Sequence, residues 1–334
     1  MSPALTAGAR MLRQQILQTP QQLAEGIRLT PQRKLPRPPP PTQIVFAGMG
    51  GSALYADLLL DHINQELGIP SQVHRSYGLP TGLDRKTLVI VSSYSGNTEE
   101  TLSALKTALH HNYSVLVLAH GGELLRIAKN KRLPYIAIPA CAQPRYSVNY
   151  MFSAVHHVLS RPGWVHPCVG ELTALAQWLK HQNLDSYGAK LAKRLKGAIP
   201  LVYAPPEYAS IARTAKIKIN ENAKVPAFYN VLPELNHNEM VGFTRPLAKF
   251  HALFLTDSKQ SSPMRARIKA TTEAINQTGV PSTIINLKGR TLLERTFYAN
   301  LLFDWTSYHL ALGYGIDPMP VDMVEQFKAR LKRI

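Results

Sequence analysis

Four neutral hydroxyls, Ser52, Ser93, Ser95 and Thr98, stand with the glycines Gly50 and Gly51 in two short stretches, Phe46-Ala-Gly-Met-Gly-Gly-Ser52 and Ser92-Ser-Tyr-Ser-Gly-Asn-Thr98. Hydroxyls and backbone N–H groups donate hydrogen bonds to anionic oxygens, and a helix N-terminus adds a favourable dipole. Each stretch follows an apolar run and precedes a helical pattern. The pair therefore reads as two loops around one phosphate monoester on a small polyol. Taken singly, each is also what turn formers and helix caps look like. Two such loops behind two buried strands of one sheet are harder to explain as ordinary turns. No Gly-Lys-Ser/Thr is present in the first loop, which excludes a P-loop. The next strand ends in His74-Arg75 rather than in the acid that holds a ribose in a dinucleotide site.

Such loops need a parallel sheet beneath them, and the chain supplies its pattern. Residues 44–47, 72–74, 88–91, 115–118 and 135–138 read as strands, with helices over 53–67, 97–110 and 124–130 between them. Glu100, three residues after Asn97, predicts a capped start for the helix that leaves the second loop. Helices over 150–160 and, with one or two breaks, 172–196 follow, and the alternation restarts with strands at 200–203, 251–256 and 282–286. This predicts an α/β fold with a parallel sheet, covered by helices on both faces, in each half. The first loop of the second half is Ala204-Pro-Pro-Glu207, so one phosphate site per chain is expected. An N-terminal helical arm with the polyproline connector Leu35-Pro-Arg-Pro-Pro-Pro-Pro41 is expected over residues 1–42, then domains over 43–160 and 161–334.

At 334 residues, 45% hydrophobic and 18% charged, the composition is that of a folded globular chain. A net charge of +17 raises the question of a nucleic-acid or membrane partner. The basic residues are dispersed, so a solvated surface serving an anionic substrate is expected, with neither partner. Two cysteines, Cys141 and Cys168, make no disulfide framework and point to a cytoplasmic setting. No apolar run reaches membrane-spanning length, and no His, Cys or carboxylate spacing resembles a metal site.

Beyond the two loops, Gln143-Pro-Arg145, Glu221-Asn-Ala-Lys224 and Pro233-Glu-Leu-Asn-His-Asn-Glu239 occur in that order. The ordered set resembles the bifunctional phosphoglucose/phosphomannose isomerase family, built from two doubly wound, flavodoxin-like sugar-isomerase (SIS) domains. The resemblance implies interconversion of glucose 6-phosphate and mannose 6-phosphate with fructose 6-phosphate, without a cofactor or metal. It implies Glu221 as the base, Arg145 as the stabiliser of enediolate oxygens, and His237 as the ring-opening proton shuttle supplied by the partner copy of a homodimer. It places a ring-opening lysine near the C-terminus, at Lys328, with Lys332 as competitor. Glu234 and Glu239, flanking His237, could orient the imidazole or cap a helix.

The chain departs from the family pattern at Ala119-His-Gly-Gly-Glu123 and at Pro139-Ala-Cys-Ala142. Met319 stands in the neighbourhood of a threonine associated with the mannose activity. Two other readings compete. A non-catalytic sugar-phosphate sensor would want a DNA-binding domain, for which the segment before Pro36 is too short. An SIS enzyme of amino sugars would not share the motifs at Glu221 and His237.

Overall fold

The computed structural model describes residues 6–32 and 40–331. Residues 33–39 of the polyproline connector, and Lys332, lie outside the described residues. The chain divides into two compact units, Gln18–Gln182 and Met1–Leu17 with Asn183–Ile334. The division separates two consecutive helices, Ala7–Leu17 (α1) and Thr19–Gly26 (α2). Each helix buries its own apolar face, Leu12 and Ile16 on α1 and Leu23 on α2, against the unit it joins. The expected arm over residues 1–42 is thus shared out between the units, and the division falls at 182/183 rather than at the expected 160/161.

In the unit Gln18–Gln182, Ile44–Gly48 (β1) leads through Gly51–Leu67 (α3) to Ser71–His74 (β2) and Leu88–Ser92 (β3). Glu99–His110 (α4), Ser114–Ala119 (β4), Gly122–Asn130 (α5) and Tyr135–Ala137 (β5) continue the alternation. The strands are all parallel in the order β2-β1-β3-β4-β5. In such a sheet ligands bind outside the carboxyl ends where the order reverses, here between β1 and β3. Gly48 and Ser92 pair at those two ends, so both loops leave the sheet at the same level. Val89, Val91, Val115 and Val117 form the core with Ala104, Leu105 and Leu124 of α4 and α5. On the other side Val148–Ser160 (α6) and Val169–Lys180 (α7) pack with α2, where buried Asn149 donates to Gln22 at 2.7 Å.

Helix α6 carries a buried histidine. His156 is 1% exposed, and its ring lies 5.2 Å from that of His62 and 5.9 Å from that of Phe152. Burial, aided by neighbouring His62, pulls its pKa from 6.5 down to about 4. The folded ring stays neutral while the unfolded one takes a proton, so stability is lost as pH falls from about 6.5 to about 4. The slope from this one group is about 1.4 kcal/mol per pH unit. Urea unfolding across that window should show a shallower loss in His156→Leu; an unchanged slope would reject the assignment.

In the second unit, Asp185–Leu195 (α8), Ile199–Ala204 (β6), Ala209–Lys218 (α9) and Phe228–Val231 (β7) come first. Glu239–Gly242 (α10), Phe250–Asp257 (β8), Ser262–Gln277 (α11) and Ser282–Leu287 (β9) follow. Leu292–Gly313 (α12) and Asp322–Leu331 (α13) complete it. The order β7-β6-β8-β9, again all parallel, repeats β2-β1-β3-β4 of the first sheet. Helix α12 is buried on all sides, with α8 and α1 against it.

Candidate active site

The two hydroxyl-bearing loops interlock. Ser52 Oγ accepts the N–H of Tyr94 at 2.9 Å, and Ser92 Oγ donates to the Ser52 carbonyl at 3.0 Å. Ser93 Oγ lies 2.9 Å from Thr98 Oγ1 and 3.5 Å from Ser95 Oγ. Three hydroxyls are thereby brought within reach of one another. Gly50 is the N-cap of α3 and Thr98 that of α4, and neither helix has a side-chain cap. Two uncapped helix N-termini beside grouped hydroxyls form a neutral donor surface suited to an anion. The expected cap at Asn97 is absent because Asn97 Oδ1 accepts from the Glu123 N–H instead, at 2.9 Å, and α4 begins at Glu99.

Two glycines allow this closeness. A Cβ on Gly51 would stand 2.8 Å from both N and Cα of Arg145, so the turn Pro144–Tyr146 presses directly on the first loop. A Cβ on Gly96 would stand 1.9 Å from the Gly121 carbonyl, at a φ of 71° that also favours glycine. Arg145 is 1% exposed, with its guanidinium 5.5 Å from the centre of the Tyr146 ring. Gly50, Gly51, Ser52, Ser93, Ser95, Thr98 and Arg145 thus belong to one unit.

Glu221, His237 and Lys328 belong to the other. Helix α9 widens into a π turn, Ile219–Ala223, and Glu221 sits half-buried within it. Such turns recur at functional sites. Lys224 closes the turn at a φ of 59°, and its ammonium donates to the Glu221 carbonyl and, at 3.2 Å, to that of Pro318. This draws the segment carrying Met319 to the turn that carries Glu221. His237 ends the short helix Glu234–His237 and is exposed. Neither flanking carboxylate is bonded to it. Glu239 accepts from Tyr203 at 2.5 Å and from Asn230, and Glu234 accepts from Asn238 at 2.9 Å. Glu239 thereby ties the loop to the sheet. Lys328 is exposed on α13 and pairs with Glu325 at 2.8 Å.

The switch point of the second sheet is filled. Tyr208, beyond β6, donates to Asp257 at the end of β8 at 2.5 Å, and Arg295 donates to Tyr208 at 2.7 Å. All three are buried. Asp257, Tyr208 and Arg295 close that point with bonds to one another. These residues, with Lys218 and Asn222 beside Glu221, escape a reading by motif because their partners are distant in the chain. Among the described residues, no three His, Cys, Asp or Glu side chains are grouped to hold a metal ion, and no helix is long and apolar enough to cross a membrane.

Residues 184–331 match the family model "Bacterial phospho-glucose isomerase C-terminal SIS domain". A bifunctional phosphoglucose/phosphomannose isomerase of Aquifex aeolicus is 37% identical over 298 residues, covering 87% of this chain and 90% of the relative. The chain belongs to the bifunctional phosphoglucose/phosphomannose isomerase family. A second member, from Caldicellulosiruptor bescii, is 34% identical over 307 residues, with 87% and 90% covered. The fold is shared with a hypothetical protein of Thermus thermophilus, at a TM-score of 0.74 and 17% identity over 99% of this chain and 94% of that one.

The loops that carry His120 and Cys141 pack on the second hydroxyl loop. Tyr94 stacks on His120 at 5.1 Å, and its hydroxyl accepts from the Cys141 N–H at 2.6 Å and donates to the Cys141 carbonyl at 3.1 Å. Burial pushes the Cys141 thiol up to about 12, which favours the neutral thiol. His120 and Cys141 therefore shape this wall through ring and backbone contacts.

Proposed function

We propose that this chain is an aldose–ketose isomerase interconverting glucose 6-phosphate, and mannose 6-phosphate, with fructose 6-phosphate through an enediol. The observation that carries the proposal is the 37% identity, over 87% of the chain, to a relative named for both activities. In this reading Gly50, Gly51, Ser52, Ser93, Ser95 and Thr98 hold the phosphate. Glu221 takes the proton from C2 of the aldose and returns it to C1, and the reverse in the other direction. The fixed charge of Arg145 stabilises the enediolate oxygens. His237 carries the proton between the C1 hydroxyl and the ring oxygen, and Lys328 assists ring opening. In the same reading His237, exposed on its loop, serves the site of a partner copy in a homodimer. Unpaired Cys141 and Cys168 fit a cytoplasmic enzyme of glycolysis and gluconeogenesis.

A coupled assay of the purified chain tests this. Fructose 6-phosphate should yield glucose 6-phosphate, and mannose 6-phosphate should be consumed. Tight sugar-phosphate binding without turnover would replace the isomerase with a sensor. The phosphate loops have their own test. Gly51→Ala forces apart the backbone of Arg145 and the first loop, and KM for fructose 6-phosphate should rise about tenfold or more, equivalent to ~1.4 kcal/mol. A wild-type KM would remove that loop from the phosphate site.

A further inference from the structure

Helix α12 is buried on every side, yet a polar stripe runs along it. Asn300, Asp304 and Ser307, at i, i+4 and i+7, are 2%, 1% and 0% exposed. Their partners come from the end of α9 and the π turn. Lys218 Nζ donates to Asn300 Oδ1 at 2.7 Å and to its carbonyl at 2.8 Å, and lies 2.8 Å from Asp304 Oδ1. Asn222 Nδ2 donates to Ser307 Oγ at 2.8 Å. Glu221 stands between these two buried anchors, Lys218 being 2% and Asn222 0% exposed.

A buried ion pair is seldom more stabilising than apolar residues of the same volume, because desolvating both charges offsets their attraction. Stability is therefore a poor reason for this stripe. Geometry is a better one. Lys218 and Asn222, at i and i+4, both face α12, while Glu221, one residue before Asn222, is turned off that face. Apolar contacts would hold the turn without fixing its rotation. Directional bonds on both sides of Glu221 fix it.

We infer that Lys218 and Asp304, with Asn300, Asn222 and Ser307, are positioning residues that hold the π turn so that the Glu221 carboxylate meets the substrate carbons. The inference rests on the reading of Glu221 as the base. Catalysis is sensitive to such placement, since a shift of about 1 Å can lower a rate about 100-fold.

The test is the triple variant Lys218→Met/Asn300→Leu/Asp304→Leu in the full chain, with Asp304→Asn as a milder companion. Its Tm should equal or exceed that of the wild type, and KM for fructose 6-phosphate should stay within about twofold, while kcat falls about 100-fold. Backbone amides of residues 219–224 should exchange with deuterium faster than in the wild type. Asp304→Asn, which keeps the volume and an acceptor for Lys218, should lower kcat about tenfold or more without raising KM. Wild-type kcat in either folded variant overturns the inference, as does failure of the triple variant to fold, which would make the stripe structural. If the wild-type chain itself shows no turnover, the isomerase reading fails separately. Amide exchange then decides the inference: unchanged protection at residues 219–224 rejects it.

Discussion

Glu221→Gln should lower kcat by about 100- to 10,000-fold for both aldose phosphates, with KM within about threefold. The amide has the shape of the carboxylate and cannot accept the proton that must leave carbon. The argument is local: Glu221 lies half-buried in a π turn whose flanking residues, Lys218 and Asn222, are anchored to α12, so the substitution leaves the turn in place. Solvent-exchange measurement in D₂O separates the base from other roles. The variant should lose both isomerisation and incorporation of deuterium at C2 of the aldose. A variant that still exchanges the C2 proton would move the base to another residue, and one with wild-type turnover would reduce Glu221 to an ordinary helix carboxylate.

Asp257→Ala should be among the most damaging single changes to stability. The aspartate accepts from Tyr208 at 2.5 Å and lies 3.5 Å from the Arg295 guanidinium, with Tyr208 fully buried and Arg295 8% exposed. Its removal leaves a buried cation without its anion and a buried phenol without its acceptor, at a cost of about 3–5 kcal/mol. The carbonyls of Gly289 and Arg290 still bond Arg295 at 3.2 Å, which favours the lower end of that range. Asp257→Asn, which keeps one acceptor oxygen, should cost about 1–3 kcal/mol. Urea midpoints of the three proteins provide the comparison. Equal midpoints for Ala and wild type would mean that water reaches the cluster and that it is not a buried charge site.

The sheet, its parallel alternation and the two loops are legible in the chain because each rests on local pattern: an apolar run, then glycines or hydroxyls, then a helix. Strand β7 is not. Phe228-Tyr-Asn-Val231 lies between Pro226 and Pro233 on a sheet edge, exposed or half-buried, so it lacks the apolar run that marks the central strands. The cap expected at Asn97 fails because a contact 26 residues away, the Glu123 N–H, wins that oxygen. Arg145 stands in a short turn after a strand, where an exposed side chain is the ordinary outcome, yet it is buried. The π turn at Glu221 has no pattern of its own, since Lys218 and Asn222 are drawn to residues on α12 that only the tertiary structure brings near.

Helix α1 packs in the unit that holds the C-terminal half of the chain, against α12. It therefore leaves the ribosome long before the helix that covers it. Between Leu17 and Leu292, synthesis at about 5–20 residues per second takes roughly 15–60 s. Over that interval the segment Gln18–Gln182 can complete its own sheet, while Leu12 and Ile16 have no surface to cover them. The nascent chain thus carries an uncovered apolar turn ahead of a segment able to fold, until α12 emerges.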